Sequence, residues 1–377
     1  MRVVITGAYG FLGWHLRARL RAMTAHQVVA LGRADGARLD TEIRDADAVV
    51  HVAGVNRGSD AEVEQGNVRL ARTIADAVRQ SPKAPRLVFA NSIRAGDDTP
   101  YGRGKARARD ILAASARDAG LNLADIVLPN LFGEHGRPDY NSFVATFAHA
   151  AVAGRSPAVQ DRPVRLLHVQ RAAQLLIDGL DLPDSTVLCP PGEPTTVGEV
   201  WRILDASHRT YRSGDIPPLD SQLRVDLFNT LRAAMFPRSY PIELPMRTDH
   251  RGVLTECVRS HGGSGQCFVS TSAPGITRGE HFHLGKFERF LVLRGRARIS
   301  LRRLFSRDVF SFDVTGEQPV AVDMPTLWSH NITNVGDNEL VTLFWTNELF
   351  DRDTPDTYPE CVATDNPPKP GKSAAEV

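Results

Sequence analysis

The sequence predicts two architectures in one chain: a doubly wound parallel α/β sheet domain over residues 1–240, then an all-β sandwich or barrel over 241–363. Three observations carry that expectation. Up to about residue 180, short apolar runs alternate with stretches of helical period, the rhythm of βαβ units. A polar, proline-punctuated stretch containing "RSGDIPPLD" and "MFPRSYPIELP" then marks a boundary near 236–245. Beyond it come short, closely spaced runs such as "GQCFVSTS", "ERFLVLRGRARISLR" and "ELVTLFWTN", separated by Gly, Asp, Asn and Pro.

Taken in order, strands are expected at Val3–Thr6, Val28–Leu31, Ala48–Val52, Arg86–Ala90 and Leu123–Leu128, with helices at Gly10–Arg21, Asn67–Arg79 and Gly102–Ala119. Residues 364–377, rich in Pro, Lys and Ala, read as a disordered tail. The apolar share of 42% in 377 residues is ample for two cores. A formal charge of +1 gives no field that would favour nucleic acid or a membrane surface as partner. Cys189, Cys257, Cys267 and Cys361 lie far apart without a CxxC pair, as reduced thiols do. No apolar run reaches the roughly 18 residues needed to span a bilayer, and the chain opens without a signal-peptide pattern. A cytoplasmic location is expected.

Gly7, Gly10 and Gly13 follow the first strand and open the first helix. That placement allows a tight turn, close approach of backbone to a pyrophosphate, and free N–H groups at the helix start, as in a Rossmann-like fold. After the second strand stands Arg33, with no acid immediately before it, which points to the 2′-phosphate of NADP. A solvated surface arginine is the plainer alternative. Ser92 ends a strand, and Tyr101 and Lys105 lie four residues apart on one helical face. An ammonium beside a phenol lowers the phenol's pKa, and a hydroxyl can hold the substrate oxygen, so the three suit proton delivery to a carbonyl under reduction.

These residues resemble the extended short-chain dehydrogenase/reductase family: "TGAYGFLG" at Thr6–Gly13, "HVAG" at His51–Gly54, Asn67, Ser92/Tyr101/Lys105 and "LPNLFG" at Leu128–Gly133, over roughly residues 1–235. The resemblance implies that Phe11, Ala53 and Gly54 line the cofactor and that Asn130 faces substrate. Two departures matter. Dehydratases of the family carry an acidic pair after the Ser or Thr, where this chain has Ile93 and Arg94, so dehydration is disfavoured. The short gap from Arg33 to Val49 leaves little room for the usual third β-α unit. His168 reads as structural in preference to catalytic, and Arg165 suits either a substrate diphosphate or a solvated strand edge.

In the β-rich half, Gly275, His281, His283, Glu288 and Gly295 follow the spacing G-x5-H-x-H-x4-E-x6-G, and His330 lies in "PTLWSHNITN". Residues i and i+2 of a strand share a face, so His281 and His283 converge; Glu288 and His330 complete a set suited to Zn, Fe, Mn or Ni. The two-part pattern resembles the cupins, which are jelly rolls. Leu327 stands where the second cupin motif carries glycine, so a different turn before His330 is expected; histidines lining a metal-free sugar pocket are the alternative. "TDHRGVLTE", Thr248–Glu256, resembles the start of cupins acting on nucleotide-linked keto-deoxysugars, which implies that Arg251 and Glu256 contact nucleotide or sugar.

Joined, the halves resemble the bifunctional CapF-type enzymes of bacterial capsular polysaccharide precursor synthesis, through "VVITGAYGFLG", "HVAGVNR", "PGITRGEHFHLGKFERFLVLRG" and "PDTYPE" among others. The resemblance implies zinc-dependent C3 epimerisation of a UDP-linked 2-acetamido-4-keto-6-deoxyhexose, then C4 reduction by NADPH to a UDP-N-acetyl-6-deoxytalosamine-type sugar, a fucosamine precursor. A dTDP-linked substrate stays open, and so does the epimerisation acid and base, for which His261 and Tyr358 are available. Both resembled families usually form homodimers. Other readings are a reductase joined to an Fe(II) cupin dioxygenase, and a sensor that binds NADP and a sugar without turnover.

Overall fold

The computed structural model describes residues 1–363; the expected tail, 364–377, lies outside them. The chain divides into two compact units, one of Met1–Phe132 with Pro163–Thr195, the other of Gly133–Arg162 with Thr196 onward.

In the first unit parallel strands stand in the order Gln27–Leu31, Arg2–Thr6, Ala48–His51, Arg86–Ser92, Leu123–Leu128, Thr186–Leu188. The middles of these strands are mainly apolar because helices cover both faces. Val3 and Ile5 pack with Leu16 and Leu20 of helix Phe11–Met23 and with Leu176 of helix Val169–Asp178. On the opposite face Val4, Val49 and Leu87 meet Ile74 and Val78 of helix Asp60–Arg79 and Leu112 of helix Pro100–Asp118. Each such buried aliphatic side chain stabilises the layer by about 1.5–3 kcal/mol. Strand order reverses between Arg2–Thr6 and Ala48–His51, and open α/β sheets take their ligands beyond the carboxyl ends of strands at such a reversal. The third β-α unit is indeed missing: residues 33–44 form a 3-10 turn, Arg33–Arg38, and a short helix, Leu39–Arg44.

Most boundaries differ from the sequence expectation by a residue or two, and one helix start by more. The helix expected from Asn67 starts at Asp60, because Ser59 and Glu62 form a reciprocal capping box. The strand expected to stop at Ala90 continues to Ser92, pairing there with Leu128.

The second unit holds helices Phe143–Val152, Val197–Tyr211 and Gln222–Met235 with two antiparallel five-stranded sheets. One sheet runs Ile242–Glu243, Val320–Met324, Glu288–Arg294, Leu340–Thr346, Gln266–Ser272; the other Val309–Thr315, Arg296–Arg303, Trp328–Asn334, Thr277–Phe282, Tyr358–Pro359. Alternation along Arg296–Arg303, with Ala297, Ile299 and Leu301 buried and Arg296 and Arg298 exposed, is the two-residue period of a strand buried on one face. The hairpin Met246–Asp249/Gly252–Thr255 forms a separate two-stranded ribbon. The three helices lie within the stretch expected as the first domain, yet they pack with the β-rich half. Buried Arg232 donates to the Met324 carbonyl at 2.6 Å and lies 4.0 Å over the Phe287 ring. Asn229 donates to the Gly285 carbonyl at 2.7 Å, and the Tyr211 hydroxyl to Asp323 at 2.7 Å.

Candidate functional site

At the reversal of the parallel sheet, the glycines are demanded by close approach. Gly7 has a φ of +73°, and a Cβ there would sit 2.7 Å from the Ala53 backbone. A Cβ on Gly13 would lie 2.2 Å from the Gly7 carbonyl oxygen. Gly10 precedes helix Phe11–Met23 without a side-chain cap, which leaves the first-turn N–H groups open. Phe11 rests its ring edge on His15. Gly54 runs beside Asn67, whose amide donates to the Val55 carbonyl at 2.7 Å and accepts its N–H at 3.2 Å. Arg33 is exposed just past the second strand. The nearest downstream acid, Asp35, is occupied: it accepts the Gly32 N–H at 2.8 Å and pairs with Arg38 at 3.1 Å.

Ser92 ends its strand and Tyr101 and Lys105 share the helix Pro100–Asp118, whose start is set by the Thr99 cap and Pro100. Burial raises the Tyr101 phenol; a hydrogen bond with Ser92 and the charge of Arg94 oppose that shift. The Lys105 ammonium is turned into the sheet. It donates to the Ala90 carbonyl at 2.6 Å and lies 4.1 Å over the Phe89 ring. Burial pushes Lys105 down to about 7, against the pull of Asp125. Sequence reasoning missed this buried polar layer. His51, held by Thr6 at 2.7 Å and pushed by burial and Lys105 to about 3, stacks on Phe89. Asp125 accepts from Asn91 at 3.1 Å.

Asn130 and Arg165 come together: the Asn130 amide donates to the Arg165 carbonyl at 3.3 Å, and the guanidinium turns to the Pro191 carbonyl at 3.3 Å. His168 is buried against Phe132 at a strand end. Arg251 and Glu256 are exposed; Arg251 is tied to Asp249 at 2.6 Å and Glu256 pairs with Arg259 at 3.7 Å, so neither joins the histidine cluster. His261 bonds Asp215 at 2.8 Å. Tyr358 stacks loosely on Phe282, beside His281.

His281, His283, Glu288 and His330 do converge, all buried, with ligand atoms within 4.8 Å of one another. The Nε2 atoms of His283, His330 and His281 lie 3.2, 3.5 and 3.8 Å from Glu288 Oε2. Glu288 comes from one sheet, and His281 and His330 from the other. All three Nε2 atoms are buried without a hydrogen-bond partner. Such orphaned, inward-facing nitrogens are costly alone and suited to a cation. His283 Nδ1 meets the Asp356 carbonyl at 2.5 Å and His330 Nδ1 the Trp328 carbonyl at 3.1 Å. Proton-bearing Nδ1 atoms leave the Nε2 lone pairs free to ligate. Burial pushes His330 down to about 4 and lowers His281, favouring neutral rings. Burial alone would raise Glu288, but the three imidazoles that face its carboxylate hold it well below the usual carboxylate range.

In the turn before His330, Leu327 takes a φ of +68°, a left-handed conformation that favours glycine. It is held there by its N–H on the His283 carbonyl at 2.8 Å, at a cost of about 1–2 kcal/mol.

Residues 3–173 match the NAD dependent epimerase/dehydratase family, and residues 247–358 match the polysaccharide biosynthesis C-terminal domain. The chain is 33% identical over 365 residues to the UDP-2-acetamido-2,6-beta-L-arabino-hexul-4-ose reductase of Pseudomonas aeruginosa, covering 95% of this chain and 98% of that protein. The solved structure of capsular polysaccharide assembling protein CapF from Staphylococcus aureus is similar at 33% identity and a TM-score of 0.63, over 96% of this chain and all of that one. UDP-glucose 4-epimerase from Thermotoga maritima shares the fold at 16% identity and a TM-score of 0.53, over 62% of this chain and 98% of its own.

Proposed function

The chain belongs to the CapF family, and on that premise we propose that it is a bifunctional nucleotide-sugar enzyme. Its second unit, read as a cupin, epimerises C3 of a UDP-linked 2-acetamido-4-keto-6-deoxyhexose. Its first unit reduces the C4 ketone with NADPH, giving a UDP-N-acetyl-6-deoxytalosamine-type sugar. The observation that carries the reading is the pairing, in one chain, of three orphaned buried imidazole nitrogens around Glu288 with the Ser92, Tyr101 and Lys105 set.

His281, His283, Glu288 and His330 would hold zinc, which when bound supplies Lewis-acid stabilisation of negative charge on the C4 oxygen as the C3 proton leaves. The chain's part is to keep the imidazoles neutral and aimed inward. In the first unit Tyr101, kept protonated by burial, would give its proton to the carbonyl oxygen, and NADPH when bound would supply the hydride for C4. Ser92 would hold that oxygen and Arg33 the cofactor's 2′-phosphate. Among the described residues no helix is long and apolar enough to cross a membrane, in keeping with a substrate met in solution. A homodimer is supported by the exposed apolar residues Phe268 and Val269 on an edge strand.

The test uses the full chain in D2O with the UDP-linked keto sugar, without NADPH. Deuterium should enter at C3, and Glu288→Gln should abolish its entry while leaving NADPH binding intact. Undiminished uptake in that variant, or O2 consumption by the parent, sinks the reading.

A further inference from the structure

We propose that Asp356 is a positioning residue for the metal ligands, acting through the loop that joins His283 to Glu288. The proposal rests on the reading that the cluster binds a metal.

Four residues, Leu284–Phe287, must turn the chain so that His283 and Glu288 face each other. The Asp356 carboxylate accepts three consecutive N–H groups of that loop: Leu284 at 2.9 Å on one oxygen, Gly285 at 2.9 Å and Lys286 at 2.7 Å on the other. The fourth, Phe287, donates to the Asn347 side chain at 2.8 Å. The Asp356 main-chain carbonyl meanwhile receives the His283 Nδ1 contact that turns Nε2 inward. One residue therefore governs both the path of the loop and the orientation of a ligand. It does so from a φ of +43°, a region that Asp and Asn tolerate better than most residues.

The segment around Asp356 is itself strapped down on both sides. Lys286 Nζ donates to the Pro355 carbonyl at 3.0 Å and to the Thr357 hydroxyl at 3.2 Å. Tyr358 and Pro359 pair with Phe282 and His281. Beyond them, buried Arg302 donates to the Glu360 carboxylate at 2.8 Å and to the Val362 carbonyl at 2.8 Å. A carboxylate so fixed transmits its position to the ligands, as outer-shell partners of metal sites do.

The experiment uses the full-length chain stripped of metal, as parent, Asp356→Asn and Asp356→Gly. Asn keeps the shape and the left-handed preference but presents an NH2 group where an acceptor stood; Gly removes the carboxylate and keeps the main-chain carbonyl. Zn2+ affinity is read by competition with a chromophoric chelator, geometry by the visible spectrum after Co2+ loading, and folding by the metal-free Tm. Both variants should bind Zn2+ about 10–100-fold more weakly, with a shifted Co2+ spectrum. If the glycine variant fails to fold, the asparagine variant decides. A parent that takes up one equivalent, beside an Asp356→Asn protein with equal affinity and a superimposable Co2+ spectrum, overturns this inference alone. A parent that takes up no metal overturns the metal reading and the inference together.

Discussion

Replacing Lys105 by methionine separates what the buried ammonium does for chemistry from what it does to stability. Its pKa falls from 10.5 to about 7, chiefly through burial at 3% exposure, so between those values the folded chain has shed a proton that the unfolded chain keeps. The lysine therefore costs stability most fully below about pH 7, and the cost fades as pH rises towards the unfolded value. At about 1.4 kcal/mol per pH unit, and with the folded group half protonated at its own pKa, the cost is about 4 kcal/mol near pH 7 and about 1 kcal/mol near pH 9.5. Methionine removes it, and also deprives the Ala90 carbonyl of its donor, at about 1–3 kcal/mol with little pH dependence. The variant should thus exceed the parent in stability by about 1–3 kcal/mol near pH 7, and the gap should shrink by about 3 kcal/mol by pH 9.5. Urea unfolding of the cofactor-free chain at both pH values measures this, with amide exchange along Arg86–Ser92 reporting on the first unit by itself. Curves that stay parallel, or an advantage that grows with pH, would refute the burial argument. Carbonyl reduction should be lost in the same variant.

Two further outcomes follow from packing. Gly13→Ala places a Cβ 2.2 Å from the Gly7 carbonyl oxygen, so the helix must move off the strand; NADPH affinity should fall by at least tenfold, measured by fluorescence titration, while Gly36→Ala, with open space around it, should change nothing. Arg289→Met strands the fully buried Asp323, which Arg289 grips at 2.9 and 3.0 Å, and should destabilise by about 3–5 kcal/mol in urea melts; Arg289→Met/Asp323→Leu should lose less than the single variant, and equal or greater loss would count against the pair as a buried charge problem.

The parallel sheet was legible because both its faces are covered. Continuous apolar runs such as "VVIT" and "AVVH" can be nothing but interior strands once glycines and helical periods flank them. The shortened adenine side was legible too, from the number of residues between Arg33 and Val49. The placing of helices Val197–Tyr211 and Gln222–Met235 was not. Their amphipathic pattern says that one face is buried, and it cannot say against what. The partners that decide it, Met324 for Arg232 and Asp323 for Tyr211, lie 92 and 112 residues downstream.

The same contrast between near and far runs through the cluster of three histidines and Glu288. His281, His283 and Glu288 are neighbours in sequence because a turn joins the strands that carry them, so ligand spacing is written locally. What aims those ligands is not. Asp356 acts on its loop from 70 to 72 residues away, through main-chain N–H groups that any residue type would offer. Leu327 hides the matter further: a glycine there would have advertised the left-handed turn, whereas a leucine forced into it by the His283 carbonyl looks in sequence like a broken motif. A ligand set constrains residue identity, and so leaves a pattern that can be read. Its supporting shell constrains chiefly backbone position, which many sequences satisfy and which only the folded chain displays.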